Sequence, residues 1–396
     1  MGKMSLWKVG LFASLLLSAP RIGLAEEEEP VSAYYKTPGI AQLSNEGKGW
    51  DVSDLILGEG SPYNFGGWVS FGYSSDSDGT FNQHPDNVNN HQSWLFVSKT
   101  MDTSEGFDWG GRFDAMYGID AADTQAFGNP PGNWDYQQDE LDHGAFGWAF
   151  PQLYAELGYK DFSVKGGHFY TLLGYEVVTA PDNFFFSHAF TMYKSEAFTH
   201  TGAYLTYTGL EKFVFYGGWT AGWDTGFDQL GDGSNFLGGF SFTPVEEATF
   251  TYILTAGDLG WIGDGYTHSM VLVFTPIEDL KYVLQSDYVR TDLDVLGNGD
   301  THYDTIGVNQ YLLYQLLKEV GVGARGEWWH ADGTSYGAIT GGFNLRPLPN
   351  LILRPEVRYQ FSEHGGDNTN QVTNKNPAGL PIGGDAIFAM DAIITF

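Results

Sequence analysis

Charged residues recur two apart along this chain. Arg112 and Asp114 flank Phe113, Arg325 and Glu327 flank Gly326, and Arg354, Glu356 and Arg358 alternate with Pro355 and Val357. Glu156 stands between Ala155 and Leu157, and Lys165 between Val164 and Gly166. In an extended chain residues of one parity share one face, so these charges collect on one side of their segments and the apolar neighbours on the other. The chemistry open to such a set is electrostatic. Basic groups on one wall and acids on another set up a transverse field that orders water and selects solutes by charge and size. The alternative is that the same side chains pair across neighbouring strands and satisfy one another in a packed interior.

Other chemistries find less support. There are no cysteines, which removes disulfides, thiolate metal sites and cysteine nucleophiles. Asp76-Ser77-Asp78-Gly79 has alternate carboxylates before a glycine, half of a calcium loop; with the ligand pattern incomplete it reads as a solvated turn, and His84 and His91 beside it are equally undistinguished. His143, His188, His302 and His364 fall in or near connections and His168, His200, His268 and His330 at strand ends, with no serine or acid spaced to make a hydrolytic set. The chain therefore reads as no enzyme, with no cofactor and no metal. A formal charge of −30 offers no basic stripe for phosphate, which argues against nucleic acid as a partner.

The elements that must position the charges are strands. In 152–159 Leu153, Ala155, Leu157 and Tyr159 alternate with Tyr154, Glu156 and Gly158, and in 351–361 Leu351, Leu353, Val357, Tyr359 and Phe361 alternate with Arg354, Glu356, Arg358 and Gln360. Pro355 lacks the N–H of a ladder, so this strand must bulge there or place the proline where that bond is dispensable. About sixteen segments of roughly ten residues repeat the pattern, the length that a tilted strand needs to cross a bilayer. They begin near 66, 92, 107, 149, 161, 200, 212, 234, 247, 266, 279, 304, 319, 336, 350 and 384. Tight turns at 160–161, 209–211, 243–246, 275–279, 318–319 and 347–350 alternate with longer polar connections at 75–90, 120–146, 171–199, 223–233, 291–303 and 362–383.

That rhythm predicts an all-β transmembrane antiparallel up-and-down β-barrel of about sixteen strands, fourteen to eighteen at the limits. Short turns lie on the periplasmic rim and long loops outside. Lipid demands such closure, because every backbone N–H and C=O must be paired within the protein. The 12 Trp, 23 Tyr and 29 Phe suit the aromatic girdles at the two membrane interfaces. A soluble propeller would instead show a repeat of about 40 residues, and none is present. Beyond the first 25 residues no apolar run approaches the roughly 18 residues of a spanning helix, and the mean hydropathy is −0.23.

The start of the chain reads as a cleaved secretory signal, residues 1–25: Lys3 and Lys8, an apolar stretch from Val9 to Leu17, and Gly23-Leu24-Ala25 at the cleavage position. Residues 26–62 form a periplasmic extension with a small helix expected around Trp50 to Leu57, and 63–396 form the barrel. The segment from Thr171 to Thr199 is apolar and aromatic, with only Glu176, Asp182, Lys194 and Glu196 charged. A connection so apolar is expected to fold back into the barrel and narrow it, with Glu176 and Asp182 as its acids; the alternative is a wall segment with an external cap.

Two stretches carry a resemblance. Gly166-Gly167-His168-Phe169-Tyr170-Thr171 with Gly174-Tyr175-Glu176, Asn183 to Ser187 and Thr199-His200-Thr201-Gly202 make up the central one; Arg325-Gly326-Glu327-Trp328-Trp329 with Asp332-Gly333 and Leu353-Arg354-Pro355-Glu356-Val357-Arg358-Tyr359 make up the late one. Together they resemble the β-barrel porin-2, OmpL-like family of bacterial outer-membrane proteins. The chain departs from the family pattern at the apolar Phe184 to Phe186 and at Ala189-Phe190, where a serine is usual. The terminal run from Ala386 to Phe396 resembles the C-terminal signal read by the barrel assembly machinery. The resemblance implies a porin of the bacterial outer membrane that passes small hydrophilic solutes or ions, with lipid around it, and porins often assemble as homotrimers. A closed barrel serving as adhesin or anchor is the second reading, and an outer-membrane barrel hydrolase the third. The candidate pore-lining residues are then Arg112, Asp114, Glu156, Lys165, Arg325, Glu327, Arg354, Glu356 and Arg358.

Overall fold

The structure is a computed structural model and describes residues 51–227, 233–293, 302–331, 333–362 and 386–396. The expected signal peptide, most of the expected extension, Asp332 and His364 lie outside the described residues.

Sixteen strands form the wall: β1 Tyr63–Ser74, β2 Asn89–Lys99, β3 Phe107–Gly118, β4 Phe146–Tyr159, β5 Phe162–Tyr170, β6 Thr199–Leu210, β7 Phe213–Trp223, β8 Ser234–Val245, β9 Ala248–Asp258, β10 Asp264–Ile277, β11 Leu280–Thr291, β12 Tyr303–Leu317, β13 Val320–Ala331, β14 Thr334–Leu348, β15 Leu351–Ser362 and β16 Ala386–Thr395. Each is antiparallel to the next, and β16 pairs with β1 from Trp68↔Thr395 to Ser74↔Ala389, which closes the sheet on itself. Reciprocal bonds between Gly67 and Phe396, both 2.9 Å, finish the seam. Every strand starts within three residues of its expected position.

The wall is inside out relative to a soluble protein. Along β15 Arg354, Glu356, Arg358 and Gln360 are buried while Val357, Tyr359 and Phe361 are exposed. Leu95, Val97, Phe113, Leu157, Ile339 and Met390 are likewise exposed outside. Hydrocarbon tolerates those side chains, so the period of two sorts oil outward and charge inward. Aromatic residues collect near both strand ends: Tyr159, Phe162 and Tyr207 at one rim, with Phe162 and Tyr207 rings 4.7 Å apart, and Trp148, Trp219 and Trp328 toward the other.

Pro355 causes no bulge. β15 keeps an unbroken register with β16 from Leu351↔Ile394 to Tyr359↔Ala386, and on its other side the ladder with β14 passes from Gly342↔Glu356 to Leu345↔Leu353 without pairing Pro355. The missing N–H therefore falls where the ladder lapses.

Both the start of β1 and the end of β16 lie at the short-turn rim. At the opposite rim the connections are unequal: besides the expected long ones, β9 and β10 are joined by 259–263 and β13 and β14 by 332–333. Among the described residues three short α-helices and one 3-10 turn, Ala180–Asp182, lie off the wall. α1, Val52–Leu57, falls in the stretch where a small helix is expected and is capped by the Asp51 carboxylate on the Ser53 and Asp54 N–H groups. α2, Ala121–Thr124, sits in the connection after β3, and α3, Phe190–Lys194, in the connection after β5.

Candidate functional site

The connection 171–198 turns into the barrel. Its apolar residues fill the lumen against three parts of the wall. Val178, Ala180, Ala189, Met192 and Phe198 pack with Trp68, Trp94 and Ile352. Phe185 packs with Val271, Val283, Tyr311 and Leu313, and Phe190 with Trp329, Tyr336 and Ala338. The residues that depart from the family pattern thus form the apolar grip of the loop.

A loop buried in this way carries backbone groups that water cannot reach, and each needs a partner. The wall charges supply them. Arg354 donates to the carbonyls of Ala180, Asn183 and Phe185 at 2.7, 2.9 and 2.8 Å and is held by Asp391 at 2.8 and 2.6 Å. Glu356 accepts the N–H groups of Phe186 and Ser187 at 2.8 and 3.2 Å. Glu327 accepts from Phe190 at 2.8 Å and is shared by Arg325 and Arg358. Arg325 also reaches Glu176 at 2.6 Å and both the carbonyl and hydroxyl of Ser187 at 2.7 and 2.9 Å. Glu176 then accepts from Ala189 at 2.7 Å. Hydrogen bonds to charged groups contribute about 1.5–3 kcal/mol each, so this lattice adds to the apolar packing that holds the loop.

The nine wall residues singled out by parity are therefore in three groups. Arg325, Glu327, Arg354, Glu356 and Arg358 are buried beneath the loop. Arg112 and Asp114 pair at 2.6 Å, with Asp114 also accepting from Trp94. Glu156 and Lys165 face each other across β4 and β5 and pair at 2.8 Å. The pairing reading of the charges describes their contacts; the walls do not stand bare on opposite sides of open water.

The two acids expected at the narrowing differ. The carboxyl of Glu176 is pushed up by burial, but the Arg325 guanidinium, His188 and the Ala189 N–H more than offset that and hold it at about 2. Asp182 is bonded by Thr179 at 2.6 Å, and burial raises its pKa despite that bond. Glu176 borders a lumenal cavity of about 450 Å³, whereas Asp182 does not. That cavity lies between the loop, through Leu173, Glu176 and Glu196, and the short-turn halves of β6 to β10, through Tyr216, Thr251 and Val271. The parity reading missed Asp287 on β11, which has no charged residue two positions away, although it shares the buried face of Gln285 and Val289.

Asp78 is buried and spends its carboxylate on Thr80 and Asn82 at 2.7–3.0 Å, a turn closed on itself. His91 pairs with Asp120 at 2.8 Å and His168 with Thr201 at 2.9 Å; neither has a serine or cysteine placed as a nucleophile.

A closed antiparallel sixteen-stranded barrel with polar groups inside and an inward loop is a porin-type barrel. The chain belongs to the family described as "Putative beta-barrel porin-2, OmpL-like", whose model matches residues 62–396, and it is a porin. Its fold is similar to the anion-selective porin from Comamonas acidovorans (TM-score 0.56, 11% identity, 84% of this chain and 99% of that one). It is also similar to OmpF of Salmonella typhi in complex with daunomycin (0.55, 12%, 84% and 97%) and to the trimer form of OmpT, an outer membrane protein of Vibrio cholerae (0.53, 12%, 84% and 99%). No curated protein matches the sequence.

Proposed function

We propose that the protein is an outer-membrane diffusion pore for small hydrophilic solutes or ions in which the loop 171–198 narrows the lumen. Residues 1–25 serve as the cleaved export signal, 26–62 as a periplasmic extension, and three copies form the working unit. It performs no catalysis. The observation that carries this reading is the lattice from Arg325, Glu327, Arg354 and Glu356 to the loop backbone: a wall that spends four buried charges on one loop fixes the size of the passage beside it. The wall charges Arg112, Asp114, Glu156 and Lys165 line what remains, and the trimer form recorded for the Vibrio cholerae protein supports the assembly.

The same packing favours one other reading. Three apolar clusters tie the loop to the wall, as they would in a barrel kept shut to act as an anchor. Single-channel recording of the refolded protein in a planar bilayer separates the two. Stable unitary steps establish the pore; a heat-modifiable, β-rich and electrically silent protein establishes the anchor.

A further inference from the structure

Five neighbouring strands of the wall carry almost no charge. Along β6 to β10 the only Asp, Glu, Lys or Arg residues are Asp258 and Asp264, which end β9 and begin β10 at the long-loop rim. The nine wall charges singled out by parity stand elsewhere, on β3 to β5, β13 and β15. The cavity of about 450 Å³ lies against this nearly charge-free arc. A space of that size holds a small organic molecule.

The lining is apolar with a polar seam. Leu172, Leu173 and Met192 come from the loop, and Val214 and Val271 from the wall. Beside them run two hydroxyl pairs that join β8 to β9, Ser241 with Thr251 at 3.1 Å and Thr243 with Thr249 at 3.0 Å. A hydroxyl has one hydrogen and two lone pairs. After the bond between its members, the Thr243–Thr249 pair therefore still has a hydrogen and lone pairs to offer a guest.

Two carboxylates of the loop border the cavity, and neither offers a standing charge. Glu176 is matched by Arg325 at 2.6 Å. Glu196 accepts from Gln285 at 2.6 Å, while burial and the nearby Asp287 push its carboxyl well above its ordinary value, which favours the uncharged form. Glu211 and Lys212, of opposite sign, lie in the exposed turn at the mouth. A charged solute that enters therefore leaves water without meeting an unmatched counter-charge, and that is costly.

Rings continue the apolar surface toward the long-loop side. A second void, of about 30 Å³, is framed by Phe127, Phe198, Trp223, Trp261 and Tyr303. Phe198 borders both spaces and has the Phe127 ring edge-on at 5.9 Å. Aromatic faces of this kind suit a flat apolar ring.

We propose that this cavity binds an uncharged amphipathic solute, with an apolar ring against the loop and hydroxyl groups on the serine and threonine seam of β8 and β9. As a step in permeation this rests on the diffusion-pore reading and names its solute class; as a binding site it is tested apart from that reading.

The test is equilibrium dialysis of the full-length protein, refolded in liposomes at neutral pH, against three probes. Phenyl glucoside has the ring and the hydroxyls, phenyl glucuronide adds one carboxylate, and glucose lacks the ring. The expected result is saturable binding of the glucoside, with the other two weaker by about fivefold or more. Thr243→Val with Thr249→Val removes one hydroxyl pair whole and keeps its shape; it should weaken the glucoside by about threefold or more, the scale of one modest hydrogen bond, with heat-modifiable migration retained. No saturable binding, a glucuronide or glucose that binds as tightly as the glucoside, or an unchanged affinity in the folded double variant overturns the proposal. If the double variant does not refold, the ranking of the three probes decides. Planar-bilayer recording reads the pore separately. Steps that the glucoside partly blocks support both readings; a silent protein that still binds it overturns the diffusion pore and keeps the site; open steps without binding overturn the site and keep the pore.

Discussion

Arg325 of β13 holds Glu176 of the inward loop at 2.6 Å while its Nε holds Glu327 of its own strand at 2.7 Å. One guanidinium thus joins loop to wall, and its planar fork is what allows two acids and Ser187 to be served together. The loop's position follows from this more than from any feature of its own backbone.

Replacing Arg325 by Met should therefore release the loop without opening the barrel. Glu176 and Glu327 would be left as buried carboxylates short of a partner, which costs about 3–5 kcal/mol, and freeing the loop relieves most of that. The strand ladder, with β13 paired from Val320 to Ala331 on both sides, does not depend on the side chain. The expected outcome is a larger unitary conductance and faster proteolytic cleavage within 171–198, with heat-modifiable migration retained. Arg325→Lys should fall between, since an ammonium keeps the charge and loses the fork. Unchanged conductance and cleavage in Arg325→Met would show that the apolar clusters alone hold the loop.

Gly174 lets Glu196 come close. It sits at φ +80°, and a Cβ there would lie 1.8 Å from Glu196 Oε2. Gly174→Ala should cost about 1–2 kcal/mol for the backbone alone, and it should also push the carboxylate away from Gln285, whose amide donates to Glu196 Oε1 at 2.6 Å. A lowered urea midpoint in reversible unfolding in bilayers is the expected result. An unchanged midpoint would mean that Glu196 moves aside at no cost.

The outward face tests the membrane orientation. Val357, in the middle of β15 and half exposed, is flanked by the buried Glu356 and Arg358. Val357→Arg should destabilise the barrel in lipid by about 2–4 kcal/mol, the cost of a cation facing hydrocarbon near the midplane. Reversible urea unfolding in bilayers measures it, and a change under about 0.5 kcal/mol, the usual size for an ordinary surface site, would place Val357 away from lipid.

What could be read in the sequence divides along physical lines. Strand positions and facing were legible, because parity acts on each residue independently: Arg112, Arg325 and Arg354 turn inward for the same reason that Phe113 and Val357 turn out. The inward course of 171–198 was legible from composition, since so apolar a loop has no stable place in water. What the charges touch was not legible. Arg354 bonds carbonyls at 180, 183 and 185, and Glu196 shares the Gln285 amide with Asp287 only because the loop crosses the lumen to β11. Contacts of that kind depend on the path of a segment through space, which no local period encodes. The short connection 259–263 also escaped the expected alternation of short and long, because a tight turn at the outer rim leaves the same local signal as one at the inner rim.

The loop carries two acids whose protons respond in opposite directions. Glu176 is held at about 2, below its ordinary 4.5, so its contribution to loop docking is complete above about 4.5 and is lost as pH falls through about 2. Glu196 is pushed well above its ordinary value, first by burial, then by Asp287 and by Glu176, against the one bond from Gln285. A carboxyl raised on docking favours the docked state in acid, and that contribution fades as pH rises above about 4.5. Lys194, two residues back, Tyr303 of β12, whose hydroxyl donates to the Lys194 carbonyl at 2.8 Å, and Asp123 and Tyr193 are also nearby. Linkage then predicts a loop held most firmly in mild acid, between the two limits. The urea midpoint in bilayers should be higher at pH 4.5 than at pH 8, and Glu196→Gln, permanently neutral, should remove most of that difference while leaving the acid side unchanged. A Glu196→Gln protein that keeps the full alkaline loss would assign the titration to another group and leave Glu176 alone as the pH-sensitive latch.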